Sequence, residues 1–427
     1  MSAERCQVKM RDEKPCNRPI KRSGKCIFHL EDKTDEEAKL FEEEFWKELK
    51  RTEEDNNTKV LDFKRFVFPN WFSIRGYHFK KFYVDFSFAK FNYADFEEVK
   101  FNKVNFANTE FNVAYFFNAE TNQAQFLSAR FNEAHFDSAF FNEAHFVNSS
   151  FDKAYFSSSF NEVNFSAKFN VAKFYKAKFN KVSFWSSEFF GRASFEETDF
   201  SYNKKEVSSF RYVKFHKPNE VVFRRVDLSN VSFLHTDVSE IEFSDVKWAR
   251  KEGRFGSRNI VVDETLIGKD PEVDYESVAQ LYRRLRKNYE SNYRFAKAGD
   301  FFIGEMEMRR LNVNTRFKNK ILRKIILWVK RNLTLAAWYK YLGYYGESTL
   351  YPAAWAAGTI LFFSLLNHLT QAGSLSVEEY LKALTNSIAT FFQLRSETTF
   401  DIFERLLSIP ILGLFFMALK RKFERRK

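Results

Sequence analysis

Three cysteines and one histidine stand near the start of the chain: Cys6, Cys16, Cys26 and His29 in "CQVKMRDEKPCNRPIKRSGKCIFH". Three thiolates and an imidazole suit tetrahedral zinc, and the C-x2-H pair at Cys26 and His29 resembles one knuckle of a zinc-binding module. The other two gaps are nine residues each, longer than a tight knuckle. The opposing reading is three free thiols in a basic tail. A stretch this polar has no apolar core of its own, however, and a metal would supply one. Four protein ligands leave no position for water, so the expected Zn2+ is structural and not catalytic. Arg11, Lys14, Arg18, Lys21, Arg22 and Lys25 among the ligands suit nucleic acid or anionic lipid, or simply form a solvated face.

Other candidate chemistry is sparse. Glu305 and Glu307 in "GEMEMRR" have no acid, histidine or nucleophile beside them in a recognisable hydrolase arrangement. They are expected to pair with Arg309 and Arg310, and no catalytic residue is assigned.

The elements that carry these residues begin with an unusual period. In "FNEAHFDSAFFNEAHFVNSSF", Phe131, Phe136, Phe141, Phe146 and Phe151 recur every five residues, which matches neither the 3.6 period of a helix nor the two-residue period of a strand. From Phe86 to Phe156 the frame has fifteen positions, and only Thr121 is not Phe. Two residues before each stands a small side chain, among them Ala89, Ala94, Ala114, Ala134 and Ala154. A chain that turns a corner about every five residues would carry both inward, and four such units would close a coil of about twenty residues.

These residues resemble the pentapeptide-repeat family, whose fold is a right-handed quadrilateral β-helix with a central Phe or Leu and a small residue two positions earlier. The register slips by one at Phe160 and Phe169, continues to Phe189 and gains one at Phe195. After an irregular "SYNKKEVSS" it resumes at Phe223, Leu228, Phe233, Val238, Phe243 and Trp248. Bulges at the corners are expected where it slips. Roughly eight coils at about 4.8 Å each give a rod of about 40 Å, a core without a pocket.

The chain has 427 residues, net charge +12, 44% hydrophobic residues and 7 prolines, too apolar and regular for disorder. Its three cysteines give no disulfide framework. No apolar stretch follows the N-terminus, so no signal peptide is expected and the start of the chain is placed in the cytoplasm. The domain reading is a zinc-binding module at 1–33, an amphipathic helix and linker at 34–60, and the β-helix at 61–250. A loop-like connector at 251–274, a helical hairpin at 275–312, an interfacial amphipathic helix at 313–345 and a transmembrane pore domain at 346–427 follow.

In the second region Leu40, Phe41, Phe45, Trp46 and Leu49 have helical spacing among acids, which suits a cap on the solenoid's open end. In the hairpin, Val278, Leu281, Tyr282, Leu285 and Tyr289 share one face, and Ala296, Gly299, Phe302 and Met306 suggest a close-packed partner. "LYRRLRKNYESN" and "AKAGDFFIGEMEMRR" resemble the segment that joins pentapeptide repeats to membrane helices in a subset of that family.

"STLYPAAWAAGTILFFSLL", residues 348–366, has no charge and reaches about 28 Å as a helix, enough to cross a bilayer. Ala353 with Ala357, and Ala354 with Gly358, form small-xxx-small pairs for helix contact. A second span is read at 400–419, with Pro410 and Gly413 expected to kink it, and it runs into "KRKFERRK", which the positive-inside bias places in the cytoplasm. "NKILRKIILWVKR" suits a helix lying in the interface. Residues 380–392 form a helix too short to span, tolerated at membrane depth where protein or water satisfies its end.

Span, short re-entrant helix, polar turn, span and basic tail resemble the pore module of two-helix cation channels. Only Thr390 carries over from their filter turn, because "TFFQLRSE" lacks the glycines a potassium filter uses. Gln393, Arg395, Glu397 and Asp401 are the candidate outer mouth, and Leu407, Ile411 and Phe415 a candidate apolar gate. The resemblance implies an ion channel of four or five subunits in the cell membrane, with both termini and the repeat domain in the cytoplasm. The alternative is a non-conducting membrane-anchored scaffold that holds a cytoplasmic protein partner on its repeats. Much of the positive charge flanks the membrane segments, where it matches anionic lipid better than nucleic acid.

Overall fold

The computed structural model describes residues 4–10, 13–55, 59–200, 206–253, 256–314, 320–371, 376–394 and 399–424. Two compact units divide the chain, Met1–Val273 and Asp274–Lys427.

The first unit is a four-sided parallel β-solenoid. Its strands form a nine-stranded and an eleven-stranded sheet, and along each path alternate half-coils stack in parallel. In register, Phe111 lies on Phe131 and Ala114 on Ala134. The alanines two before each ring are buried, and the rings form four columns. Phe91, Phe111, Phe131, Phe151 and Phe169 stack face to face with centroids 4.7–5.1 Å apart. Phe86, Phe106, Phe126 and Phe146 form a second column, and Phe96, Phe116, Phe136 and Phe156 a third. The fourth runs Phe79–Phe101 and Phe141–Phe160–Phe179, with Thr121 between Phe101 and Phe141. The spacing is that of neighbouring strands, so each coil adds one residue to each column, a ring at every one of these positions except Thr121.

Between strands the chain makes β-turns whose third residue has positive φ, as at Glu98, Asn108, Asn118, Ser128 and Ser138. Outward asparagines stack in ladders, Asn132 on Asn112 and Asn112 on Asn92 at 2.9 and 2.8 Å.

The register slips are absorbed in the corners. Phe160 stacks on Phe141 and Phe169 on Phe151 while their strands stay paired, so the turns and not the strands take up the missing residues. The residue gained before Phe195 sits beside Gly191, where a Cβ would meet the Asn170 carbonyl oxygen at 2.6 Å. Only glycine fits there. The repeat also resumes earlier than the sequence suggested, because Phe210 stacks on Phe184 and Phe215 on Phe189. That rung makes nine coils and not eight.

Helix α1 (Asp35–Glu54) closes one end. Thr34 and Glu37 form a reciprocal capping box that starts it. Phe41, Phe45 and Leu49 are buried, with Phe41 against Phe68 and Phe45 against Phe63 and Phe72. The other end corrects the loop-like connector. Ala249–Gly253 and Gly256–Ile260 pair as an antiparallel hairpin, followed by α2 (Asp263–Leu266). Trp248 covers Phe243 and Phe233, Asp263 accepts from Ser232, and Arg211 pairs with Asp270 at 2.7 Å. An exposed end of stacked rings has to be covered, and this segment covers it.

In the second unit α3 (Tyr275–Ser291) and α4 (Phe295–Leu311) form the expected hairpin. Val278, Leu281, Tyr282, Leu285 and Tyr289 are all buried. The close approach lies at Gly304, where a Cβ would meet the Tyr282 ring at 2.6 Å. The buried residues include Ala298, Gly299, Phe301, Ile303 and Met308, so Gly299 is buried as expected, while Ala296 is exposed and Phe302 and Met306 are half-buried, which corrects the rest of the face read from sequence. Next come α5 (Lys320–Asn332) and α6 (Leu335–Gly343), then α7 (Leu350–Gln371), α8 (Val377–Phe391) and α9 (Thr399–Glu424).

Candidate metal centre and helix junction

The long gaps between the cysteines are spanned by a backbone hairpin. Cys6 donates its N–H to Arg18 O and Asn17 donates to Cys6 O, both at 2.9 Å, while Cys16 donates to Val8 O at 2.7 Å. This folding sets Cys6 beside Cys16, and a tight turn closed by His29 N–H to Cys26 O brings the remaining pair to them. The four ligand atoms all lie within 4.8 Å of one another. Cys16 and Cys26 Sγ are 3.7 Å apart, and His29 Nδ1 is 3.5 and 3.2 Å from Cys6 and Cys26 Sγ. Zinc bonds of about 2.3 Å to sulfur and about 2.0 Å to nitrogen at tetrahedral angles imply edges of about 3.8 and about 3.5 Å. The donor set and its size therefore fit a tetrahedral metal.

Arg18 donates to Cys16 Sγ at 3.2 Å and is itself paired with Glu48 on α1. The Cys16 thiol is held down at about 3, first by the hydrogen bond from Cys26, against the opposing effect of burial, with His29 and Arg18 assisting. Cys26 is pushed up as the proton-bearing partner. Phe28 stacks on Phe66 at 4.6 Å and joins the module to the capped end of the solenoid. Several cations among the ligands are occupied: Arg22 pairs with Glu37 and Lys25 with Glu31. Arg11 lies outside the described residues.

Among the later helices, Leu350–Thr370 and Phe400–Phe423 are long and apolar enough to cross a membrane. Only 22% of each apolar window is buried, far less than the core helix of a soluble protein. Leu361, Phe362, Leu365, Ile402, Phe403, Leu406 and Ile409 all face outward. The two helices run antiparallel: Asn367 Nδ2 donates to Asp401 Oδ1 at 3.2 Å near one end, and Arg421 pairs with Glu347 at 2.9 Å near the other.

Between them lies α8, whose fifteen residues reach about 22 Å, too short to cross. Its C-terminal end is held beside Ser408, nine residues after Thr399 and therefore about 13 Å along α9. Gln393, in left-handed backbone at φ 66°, closes the helix: its N–H bonds Thr390 O and that of Leu394 bonds Ala389 O. The Gln393 side chain donates to Ser408 Oγ at 2.7 Å and to Arg405 O at 3.1 Å, and accepts from Arg405 Nε at 2.9 Å.

The sequence-read pore residues thus separate. Thr390 and Asp401 are buried inside the chain, and Gln393 braces α8 against α9. Leu407, Ile411 and Phe415 follow one another at four-residue steps along α9, and within the chain Ile411 is buried, Phe415 half-buried and Leu407 exposed. Arg395 and Glu397 lie outside the described residues. Ala353, Ala354, Ala357, Gly358 and Gly413 are exposed, and a Cβ on either glycine would meet nothing within 4 Å. Sequence reading passed over the buried Glu404, although two acids three apart in an apolar helix are a signal in themselves. Pro410 leaves α9 unbroken. Glu305 meets Arg309 and Glu307 meets Arg310, as expected.

A parallel solenoid, a compact Cys3His cluster and a bundle with two span-length helices define a modular repeat protein. Its solenoid is similar to the pentapeptide-repeat family, whose model matches residues 83–116, with eight copies of the repeat. A protein of Methanocaldococcus jannaschii, MJ1147, is 24% identical over 253 residues, 52% of this chain and 51% of the relative. The match therefore spans about half the length of that relative. HetL, a pentapeptide-repeat protein involved in heterocyst differentiation regulation in the cyanobacterium Nostoc sp. strain PCC 7120, covers 41% of this chain and 88% of its own. At 10% identity and a TM-score of 0.19 that likeness carries no argument, and the ring columns and strand ladders define the fold.

Proposed function

We propose that the chain is an oligomeric membrane protein of channel-like architecture, with a pentapeptide-repeat domain for sensing or docking. The observation that carries this reading is the seat of α8: a half-helix that ends beside Ser408, well inside the second span-length helix. Non-spanning backbone at membrane depth needs protein or water around its open end, and a pathway shared between subunits supplies water. The outward small residues of α7 offer a surface for neighbouring copies. Basic residues Lys420, Arg421 and Lys422 close α9, and the charged, apolar-faced α5 suits the same interface, which supports a reading with the start of α7 and the end of α9 both on the cytoplasmic side. The metal of the N-terminal cluster is proposed to be Zn2+ in a structural role, and the reading is non-catalytic.

Native mass spectrometry of the purified full chain in lipid tests the assembly. Closed oligomers of at least three subunits, four or five expected, support the reading. A stable monomer or dimer contradicts it and favours a membrane-anchored scaffold.

A further inference from the structure

The junction of α7, α8 and α9 holds an acid with an unusual set of neighbours. Glu404 is wholly buried, one turn beyond Asp401, which is 5% exposed. Its Oε1 lies 2.5 Å from Ser387 Oγ of α8. The same Ser387 Oγ lies 3.0 Å from the Ile360 carbonyl oxygen of α7. A serine hydroxyl carries one hydrogen, a carbonyl none, and an ionised carboxylate none. With Glu404 ionised, two acceptors would compete for that single hydrogen, and one short oxygen–oxygen contact would hold no proton. A carboxylic acid resolves both contacts: Glu404 donates to Ser387, and Ser387 donates to Ile360.

The surroundings favour the neutral form. Glu404 Oε2 and Asn367 Oδ1 are buried without hydrogen-bond partners, as is His368 Nδ1. Glu404 makes no ion pair with Lys or Arg among the described residues. Arg405, next along α9, gives its Nε to Gln393. A charged carboxylate inside an apolar helix bundle without a cation is costly.

We infer that Glu404 is a proton-binding site that latches the half-helix α8 between the two long helices through Ser387. Bound, the proton completes a chain across three helices; released, it leaves a charge in their junction and one hydrogen bond fewer. The titratable group beside it on α9 is Asp401, one turn earlier, whose negative charge favours the proton. Tyr380 of α8 packs edge-on against His368 at 5.7 Å. Ser387 supplies the remaining polar contact from α8. The inference rests on the packing of three helices within one chain and needs neither conduction nor assembly.

Infrared spectroscopy of the full chain in lipid tests it. At neutral pH the protein is expected to show a protonated carboxyl C=O band that is lost in Glu404→Gln, and whose frequency shifts in Ser387→Ala because its hydrogen-bond acceptor is gone. Amide exchange over residues 377–391 should quicken, beyond the intrinsic pH effect, as that band disappears on raising the pH, and Glu404→Gln should abolish the excess. Identical carboxyl spectra in wild type and Glu404→Gln would overturn the site. Should Glu404→Gln fail to fold, an unshifted band in Ser387→Ala overturns it equally. A chain that never conducts, yet shows the titrating band, removes the channel reading and leaves the proton site standing.

Discussion

Tyr345, in the turn before α7, donates its phenolic hydrogen to the Glu307 carboxylate of α4. Arg310 and Lys340 reach the same carboxylate, each at 2.9 Å, and Arg421 of α9 donates to the Tyr345 carbonyl at 3.1 Å. Through these two residues the helical hairpin is joined to the ends of both span-length helices within one unit. Any movement of the hairpin relative to the spans has to strain or break this cluster.

Burial alone would raise the Glu307 carboxyl, but Arg310, Tyr345 and Lys340 hold it at about 2. In the folded unit it stays ionised, whereas an unfolded or undocked carboxyl takes up a proton near its ordinary 4.5. Its contribution is therefore complete above pH 4.5 and lost as the pH falls towards about 2. Glu307→Gln should cost about 3 kcal/mol and flatten the acid limb of a denaturation curve. An unchanged acid limb would remove the cluster from the coupling.

The Cys3His module should bind one metal per chain. Cys26→Ser removes a ligand from the tightly spaced pair and should abolish stoichiometric zinc by elemental analysis, loosening residues 4–30 while the solenoid's circular dichroism persists. Arg18→Ala, which keeps all four ligands, should weaken the metal about 10- to 100-fold, as loss of an outer-shell partner does. Full zinc retention in Cys26→Ser would exclude the site.

Thr121 interrupts the fourth ring column beside an open cleft of about 430 Å³ lined by Phe101, Phe140 and Asn142. Thr121→Phe should restore stacking on Phe101 and Phe141 and stabilise the repeat unit by about 1 kcal/mol. Chemical denaturation measures it, and a lowered midpoint would mean that the coil has closed around threonine and cannot admit a ring.

Gly358→Leu should leave the fold of the single chain intact, since among the described residues nothing beyond its own helix backbone lies within 4 Å of the added Cβ. It should shift the oligomer towards smaller species by native mass spectrometry. Intact assembly would turn that face towards lipid instead.

The repeat was legible because each coil imposes the same packing on the same two positions, so one Phe column predicts the others. Where the packing problem is solved once only, sequence reading failed. The 249–260 hairpin was read as loop because its glycines and charges hide that it covers the end of a stack. The rung at Phe210 was missed, although Ser208 and Val213 hold the minus-two positions, because an insertion precedes it. Gly299 and Gly304 look alike in the sequence and both are buried, since which of them meets Tyr282 depends on where two helices cross. The ligand set was visible in Cys6, Cys16, Cys26 and His29, but the hairpin that unites them depends on backbone pairing and leaves little mark on composition. The pore residues were read as one lining, whereas Gln393, Asp401 and Ile411 are engaged within their own chain.

The central claim is a water-filled path formed where α8 ends, and ion flux from liposomes holding the purified full chain tests it most directly. Flux that scales with the number of inserted oligomers is expected, because a shared aqueous pathway conducts only where the subunits have assembled. Inserted, oligomeric protein that passes no ion under any condition of pH or voltage would contradict it.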